Sequence, residues 1–221
     1  MLRWLVIFLL VLLVGCVSST PTQRLPTDCR AEASVEQLLA SNWLQQTDVW
    51  RLRQSALLEL GAKKIPLEGF LRLDLQMRQA RLVAMNEMGL VLFDLLVDEN
   101  DQQLKRAAPQ LQQVDGFAAG VAQSLRQIFL LPRPQLDDRL QNRGNSKRLW
   151  RLQPGGSLGF IFDCRGDLRA SRSASERGDW QVFYDHYREH YSARLPEQIV
   201  LNDYRYGVKL SLWIREVKQE L

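Results

Sequence analysis

From Val49 onward the chain alternates apolar and polar positions with a period of two. Leu67, Leu71, Leu73, Leu75 and Met77 share one side of that alternation, and Glu68, Arg72, Asp74 and Gln76 share the other. A strand with one buried and one wetted face requires this pattern. Residues 90–97 are apolar on both sides except at Asp94, which predicts a more deeply covered strand. The run Asp98, Glu99, Asn100, Asp101 predicts a solvated turn, since it lacks the glycine and terminal glutamate spacing of a calcium loop.

Two stretches break the period. Ser34 and Gln37 fit a capping box that opens a short helix reaching about Ala40. Residues 117–131 predict the longest helix, with Phe117, Val121, Leu125, Ile128 and Phe129 on one stripe. Pro132 and Pro134 stop it. Residues 136–147 are polar and predict a loop. Strands are expected again at 149–152, 158–164, 168–172, 180–188, 199–204 and 208–217, with glycine turns between them. About ten strands with short links and one long helix predict a mainly β, α+β domain. Its form would be a strongly curved antiparallel sheet, an incomplete barrel around one or more helices.

The first 15 residues are apolar except for Arg3 and Gly15, and Leu13-Val14-Gly15-Cys16 follows directly. The apolar run is too short for a membrane span, which needs about 20 residues. A basic start, an apolar run and small residues before a cleavage point define a secretory leader. The box itself resembles the bacterial lipobox, cut before Cys16, with a diacylglycerol thioether on the sulfur. Val17 follows the cysteine where an aspartate would favour the inner membrane, so the resemblance implies the periplasmic face of the outer membrane. Residues 1–15 are thus read as a lipoprotein signal peptide, 16–33 as a lipidated flexible tether, and 34–221 as the folded domain. An oxidising compartment would allow Cys29 and Cys164 to pair. Two independent buried thiols are the alternative.

Composition narrows the chemistry. Among 221 residues, 29 Lys and Arg against 25 Asp and Glu give a net charge of +4. The charges are scattered, which disfavours a nucleic-acid partner. Two histidines and three cysteines are few for a metal site. His186 and His190 lie four apart in a segment that alternates as a strand, so they would sit about 13 Å apart, too far to share an ion. No nucleophile elbow, phosphate loop or Cys-His-Asp set is present. The expectation is a non-enzyme without cofactor or metal.

The apolar strand positions are the more informative excess. Leu71, Leu73, Leu75, Met77, Leu90, Leu92, Phe160, Phe162, Val182, Leu210 and Leu212 would line the concave side of the sheet. They would either fill it as an ordinary core or leave a cavity for acyl chains. Transferring one 16-carbon chain into such a cavity recovers on the order of 12 kcal/mol, at about 0.8 per methylene.

Three stretches carry a family resemblance. They are Ser124-Leu125-Arg126-Gln127-Ile128-Phe129-Leu130-Leu131-Pro132; Trp180-Gln181-Val182-Phe183-Tyr184 with Leu195-Pro196-Glu197-Gln198-Ile199-Val200-Leu201; and Val208-Lys209-Leu210-Ser211-Leu212. In order and spacing the chain resembles the LolB family of outer-membrane lipoproteins, which receive lipoproteins from the periplasmic carrier LolA. A LolB-like lipoprotein family linked to aryl-polyene pigment pathways is at least as similar. The resemblance implies an incomplete barrel with helices plugging an apolar cavity. It also implies acylated cargo, either lipoprotein or lipid-linked, and a LolA-like delivering partner. An apolar residue on the loop between the third and fourth strands would touch the membrane; Met88 matches it. The Cys29 and Cys164 pair has no counterpart in that family. Pro109 interrupts 102–115, where helical packing is expected. The competing reading is a structural or docking envelope lipoprotein with a filled core.

Overall fold

The computed structural model describes residues 33–220, except 132, 177 and 192. The leader, the lipobox with Cys16, and Cys29 lie outside the described residues.

The domain starts as the capping box requires. Helix α1 (Val35–Ser41) opens where the Ser34 hydroxyl accepts the Gln37 N–H and the Gln37 side chain accepts the Ser34 N–H. A single tight turn, Trp43–Gln45, follows, capped by the Asn42 side chain on the Leu44 N–H. Five strands come next: β1 (Val49–Leu60), β2 (Lys63–Asp74), β3 (Gln79–Met85), β4 (Val91–Val97) and β5 (Gln102–Ala107). Helices α2 (Pro109–Gln112) and α3 (Phe117–Leu125) interrupt, and α3 runs into a π-helical turn, Arg126–Leu130. Seven strands complete the chain: β6 (Arg139–Arg143), β7 (Ser146–Gln153), β8 (Gly156–Phe162), β9 (Leu168–Ser175), β10 (Trp180–His190), β11 (Ala193–Asp203) and β12 (Val208–Glu220).

All twelve strands form one antiparallel sheet, in the order β5-β4-β3-β2-β1-β12-β11-β10-β9-β8-β7-β6. Every neighbour is a sequence neighbour except β1 and β12, whose pairing joins the two halves. The sheet does not close into a barrel. Its two edges, β5 and β6, are consecutive in sequence, and the connection between them carries α2, α3 and the π turn. The helical insert therefore starts at one edge of the open sheet and returns to the other.

Even-numbered positions of β1 turn to the concave side, where Trp50 and Leu52 are buried, while Arg51 and Arg53 are exposed on the convex side. The register carries this facing across β2, where Leu71 and Leu73 are buried opposite Leu52 and Trp50. Each fully buried leucine contributes about 1.5–3 kcal/mol relative to exposure.

Several expectations change. Twelve strands form, not about ten. Residues 139–143, expected as loop, are β6. All five are exposed, so no alternation marks them; their ladder to β7, turned at Gly144 with φ +58°, makes the strand. Residues 102–107, expected to pack as helix, are edge strand β5. The Asp98 carboxylate accepts the N–H groups of Asn100 and Asp101 and turns the chain back onto β4. Strand β2 ends at Asp74, earlier than its alternation suggests. The Asp74 carboxylate accepts the Met77 N–H, and Arg78 takes φ +50°, so Leu75 and Met77 belong to the turn.

Candidate functional site

The helical insert sits in the concave face of the sheet and is the centre of the candidate site. Phe117 meets Phe93 of β4 edge-on, with ring centroids 5.1 Å apart. Ile128, Phe129 and Leu130 are fully buried. Trp43 packs edge-on against both Phe129 and Tyr184 of β10, at 6.1 Å each. The amphipathic stripe read from the sequence therefore faces the sheet.

Polar contacts fix the insert in place. The Arg126 guanidinium donates to the carbonyls of Asp98 (2.7 Å) and Asp101 (2.6 Å) and to the Gln102 side chain (3.0 Å), clasping the β4–β5 turn. The Gln127 amide donates to Asp203 at 3.0 Å. Asp203 also accepts the Arg205 and Tyr206 N–H groups, so it couples the insert to the β11–β12 turn. The buried Tyr184 hydroxyl donates to the Ile128 carbonyl at 2.8 Å. That carbonyl lies four residues before a proline, which has no N–H to offer it. Burial pushes the Tyr184 phenol well above its ordinary value, so it stays a neutral donor.

The sequence-predicted cavity positions separate into three groups. Leu71, Leu73, Phe160, Phe162, Val182 and Leu212 lie on the concave side and are at most 2% exposed, and Leu75 is buried in the β2–β3 turn. Leu92 and Leu210 are half-buried against the same core. Met77 and Leu90 lie outside it, 71% and 60% exposed at hairpin turns. Trp43, Trp50 and Tyr184 join the core without having been singled out, beside Phe129 of the predicted stripe. The alternation Trp50–Leu52 was a readable signal for Trp50. Trp43, in a three-residue turn, had none.

Met88 is 79% exposed at the tip between β3 and β4. The Asn86 side chain accepts the Met88 and Leu90 N–H groups, and Gly89 takes φ +78°, a conformation that favours glycine. The turn is thus braced with Met88 and Leu90 outward. Strand order makes two further hairpins its neighbours. Leu60 and Ile65 are 39% exposed beside the β1–β2 turn, and Tyr204 and Tyr206 are 63% and 61% exposed at the β11–β12 turn.

Cys164, in the turn after β8, is disulfide-bonded. Nearby, burial first and the Asp167 charge second push the Asp163 carboxyl above its ordinary value. Among the described residues no group of three or more His, Cys, Asp or Glu is placed to hold a metal ion.

Solved structures share this fold, among them the following three. A Vibrio parahaemolyticus domain named for outer membrane lipoprotein sorting superimposes with a TM-score of 0.57 at 7% identity, over 84% of this chain and 90% of that one. A LolA superfamily protein from Nitrosomonas europaea gives 0.52 at 10% identity, over 84% and 93%. A DUF1329 family protein from Desulfovibrio piger gives 0.51 at 8% identity, over 85% and 89%. At these identities the likeness is one of fold. No protein-family model matches the sequence, and no curated protein matches it.

Proposed function

We propose that this chain, whose fold is LolA/LolB-like, is a non-catalytic lipoprotein that accepts or transfers an acylated cargo at the periplasmic face of the outer membrane. The observation that carries the reading is the helical insert. The concave apolar face is covered by a segment held through a few named hydrogen bonds, in a sheet that stays open between β5 and β6. Displacing that segment would exchange its apolar stripe for acyl chains with little change to the sheet. Transfer then needs only a difference in affinity between carrier, acceptor and membrane, and no cofactor.

In this reading Cys16 carries the lipid anchor, and a LolA-like carrier delivers a lipoprotein or a lipid-linked molecule. Cys29 pairs with Cys164 and ties the tether to the domain. Tied at Cys29, the segment from Cys16 to Cys29 would reach about 43–47 Å when extended. Strand β1, with twelve residues, covers about 40 Å. The anchored domain can therefore turn the Met88 hairpin towards the same membrane. Met88 and Leu90, with the tyrosines of the neighbouring tip, suit a lipid interface.

The test is a Cys16→Ala protein exported behind a cleavable signal, purified without detergent and weighed by native mass spectrometry. A bound acylated species of defined mass is the expected result. A clean apo mass that also takes up no added lipid would overturn the proposal. It would favour a docking lipoprotein with a filled core, for which the tight packing of Leu73, Phe160 and Val182 is the supporting observation.

Met88→Glu should leave the unfolding curve unchanged, because the side chain is exposed. It should cut association with lipid vesicles several-fold, since a charge is costly to place in lipid. Vesicle flotation checks this, and undiminished association would remove Met88 from the membrane contact.

A further inference from the structure

Two hollows adjoin on the convex side of the sheet, away from the helical insert. One measures ≈ 510 Å³ and the other ≈ 320 Å³, and Arg72 and Arg81 line both. Together they make a furrow across β12, β1, β2 and β3 towards β5.

Its charge arrangement is unusual for a sheet. Lys218 pairs with Arg51, Arg51 with Arg72, and Arg72 with Arg81, so four cations stand in one cross-strand row. Like charges directly opposite one another destabilise a sheet. Carboxylates at the margin offset part of this. Glu220 takes both Arg51 and Arg72, and Asp94 holds Arg81 through two bonds of 3.0 and 2.7 Å. The balance is still positive. Six cations, Arg53 and Lys105 among them, line the two hollows, against Glu216 in the lining and Glu220, Asp94 and Asp74 at its margin, with Arg53 at 3.7 Å from Glu216. Lys218 is 70% exposed and approaches Glu216 only at 3.9 Å.

The neighbouring row supplies the second observation. Phe70 stands opposite Arg53 and Val83, in the middle of the convex face, and is 49% exposed. An aromatic ring left half in water among arginines is a ready anchor point, because it can pack an apolar side chain while the arginines take charge.

We propose that this furrow docks an acidic segment of a partner protein that carries an apolar anchor residue over Phe70. The row of cations spans about 15 Å at the spacing of adjacent strands. That is the reach of a few residues of extended chain. An apolar side chain of an extended segment can pack on the half-exposed Phe70 while acidic residues on either side of it meet the neighbouring cations. The inference holds whether or not the concave face takes cargo.

The probe is a fluorescent peptide of eight glutamates with one central phenylalanine, read by anisotropy against the whole exported domain. The comparison peptide has serine in place of phenylalanine. Lys105→Ala with Lys218→Ala should weaken binding about tenfold at low salt. Both side chains are exposed, and circular dichroism verifies that the fold is kept. Phe70→Ser should abolish the preference for the phenylalanine peptide. Arg143→Ala with Arg188→Ala, which removes two cations from distant strands, should leave binding unchanged.

Equal binding by the intact and the Lys105/Lys218 variant proteins would overturn the proposal, as would indifference to the phenylalanine. Vesicles of phosphatidylcholine and phosphatidylglycerol form the last arm. If they bind the intact protein, lose the double variant, and the peptide does not bind, the furrow meets lipid and the protein partner is ruled out.

Discussion

Replacing Trp43 with alanine should destabilise the domain by about 3–5 kcal/mol, the cost of deleting a large buried aromatic and leaving a void. Trp43 is 1% exposed and meets Phe129 and Tyr184 edge-on at 6.1 Å each. It sits in the tight turn after α1 and packs against both the π turn and β10, so no single element can collapse into the space it leaves. For a domain of this size the loss lowers Tm by roughly 2–4 °C per kcal/mol. Urea unfolding at neutral pH checks the free energy directly. Trp43→Phe keeps an aromatic ring at the contact and should cost clearly less. A loss below about 1 kcal/mol for the alanine variant would show that the insert is not keyed to the sheet through this side chain.

Arg126→Ala separates the two readings of the concave face. The side chain is 8% exposed and gives three hydrogen bonds, two to carbonyls of the β4–β5 turn. Removing a charged donor from three such acceptors should cost about 2–4 kcal/mol. Arg126→Lys keeps the charge but cannot span all three acceptors, so its loss should be intermediate. If the insert is a displaceable cover, a folded Arg126→Ala protein should bind a fluorescent fatty-acid analogue more tightly than the parent. A cover that opens more readily raises the fraction of binding-competent protein. If the concave face is a filled core, stability falls and analogue binding stays at the background of the parent. The same logic explains why a charged substitution at Leu73 is a poor probe of cargo. The position is fully buried, so a glutamate there would unfold the domain before it reported on binding.

Much of the concave face was readable from period alone. Leu71 and Leu73 alternate with Arg72 and Asp74, and the structure puts the first pair inward. The stripe from Phe117 to Phe129 announced the insert, and Ser34 with Gln37 announced α1. The edge strands were not readable. Strand β6 has no buried residue, and five exposed positions look like loop whether or not they pair. Met77 and Leu90 continue apolar patterns past the ends of their strands, and only the turns built by Asp74 and Asn86 swing them out. Helix α3 changes to a π turn where Arg126, Gln127 and Ile128 each find partners in distant strands. No local pattern contains those partners.

The sequence by itself determined which side chains share a strand face, where the chain turns, and that a helical insert breaks a run of strands. These follow from side-chain periodicity and turn chemistry, which act over a few residues. Tertiary structure alone decided the pairing of β1 with β12, the open seam between β5 and β6, the closure of the concave face around Trp43, and the convex row from Lys218 to Arg81. Each depends on residues brought together across the sheet from distant parts of the chain. A cation placed opposite another cation is invisible until the register is known.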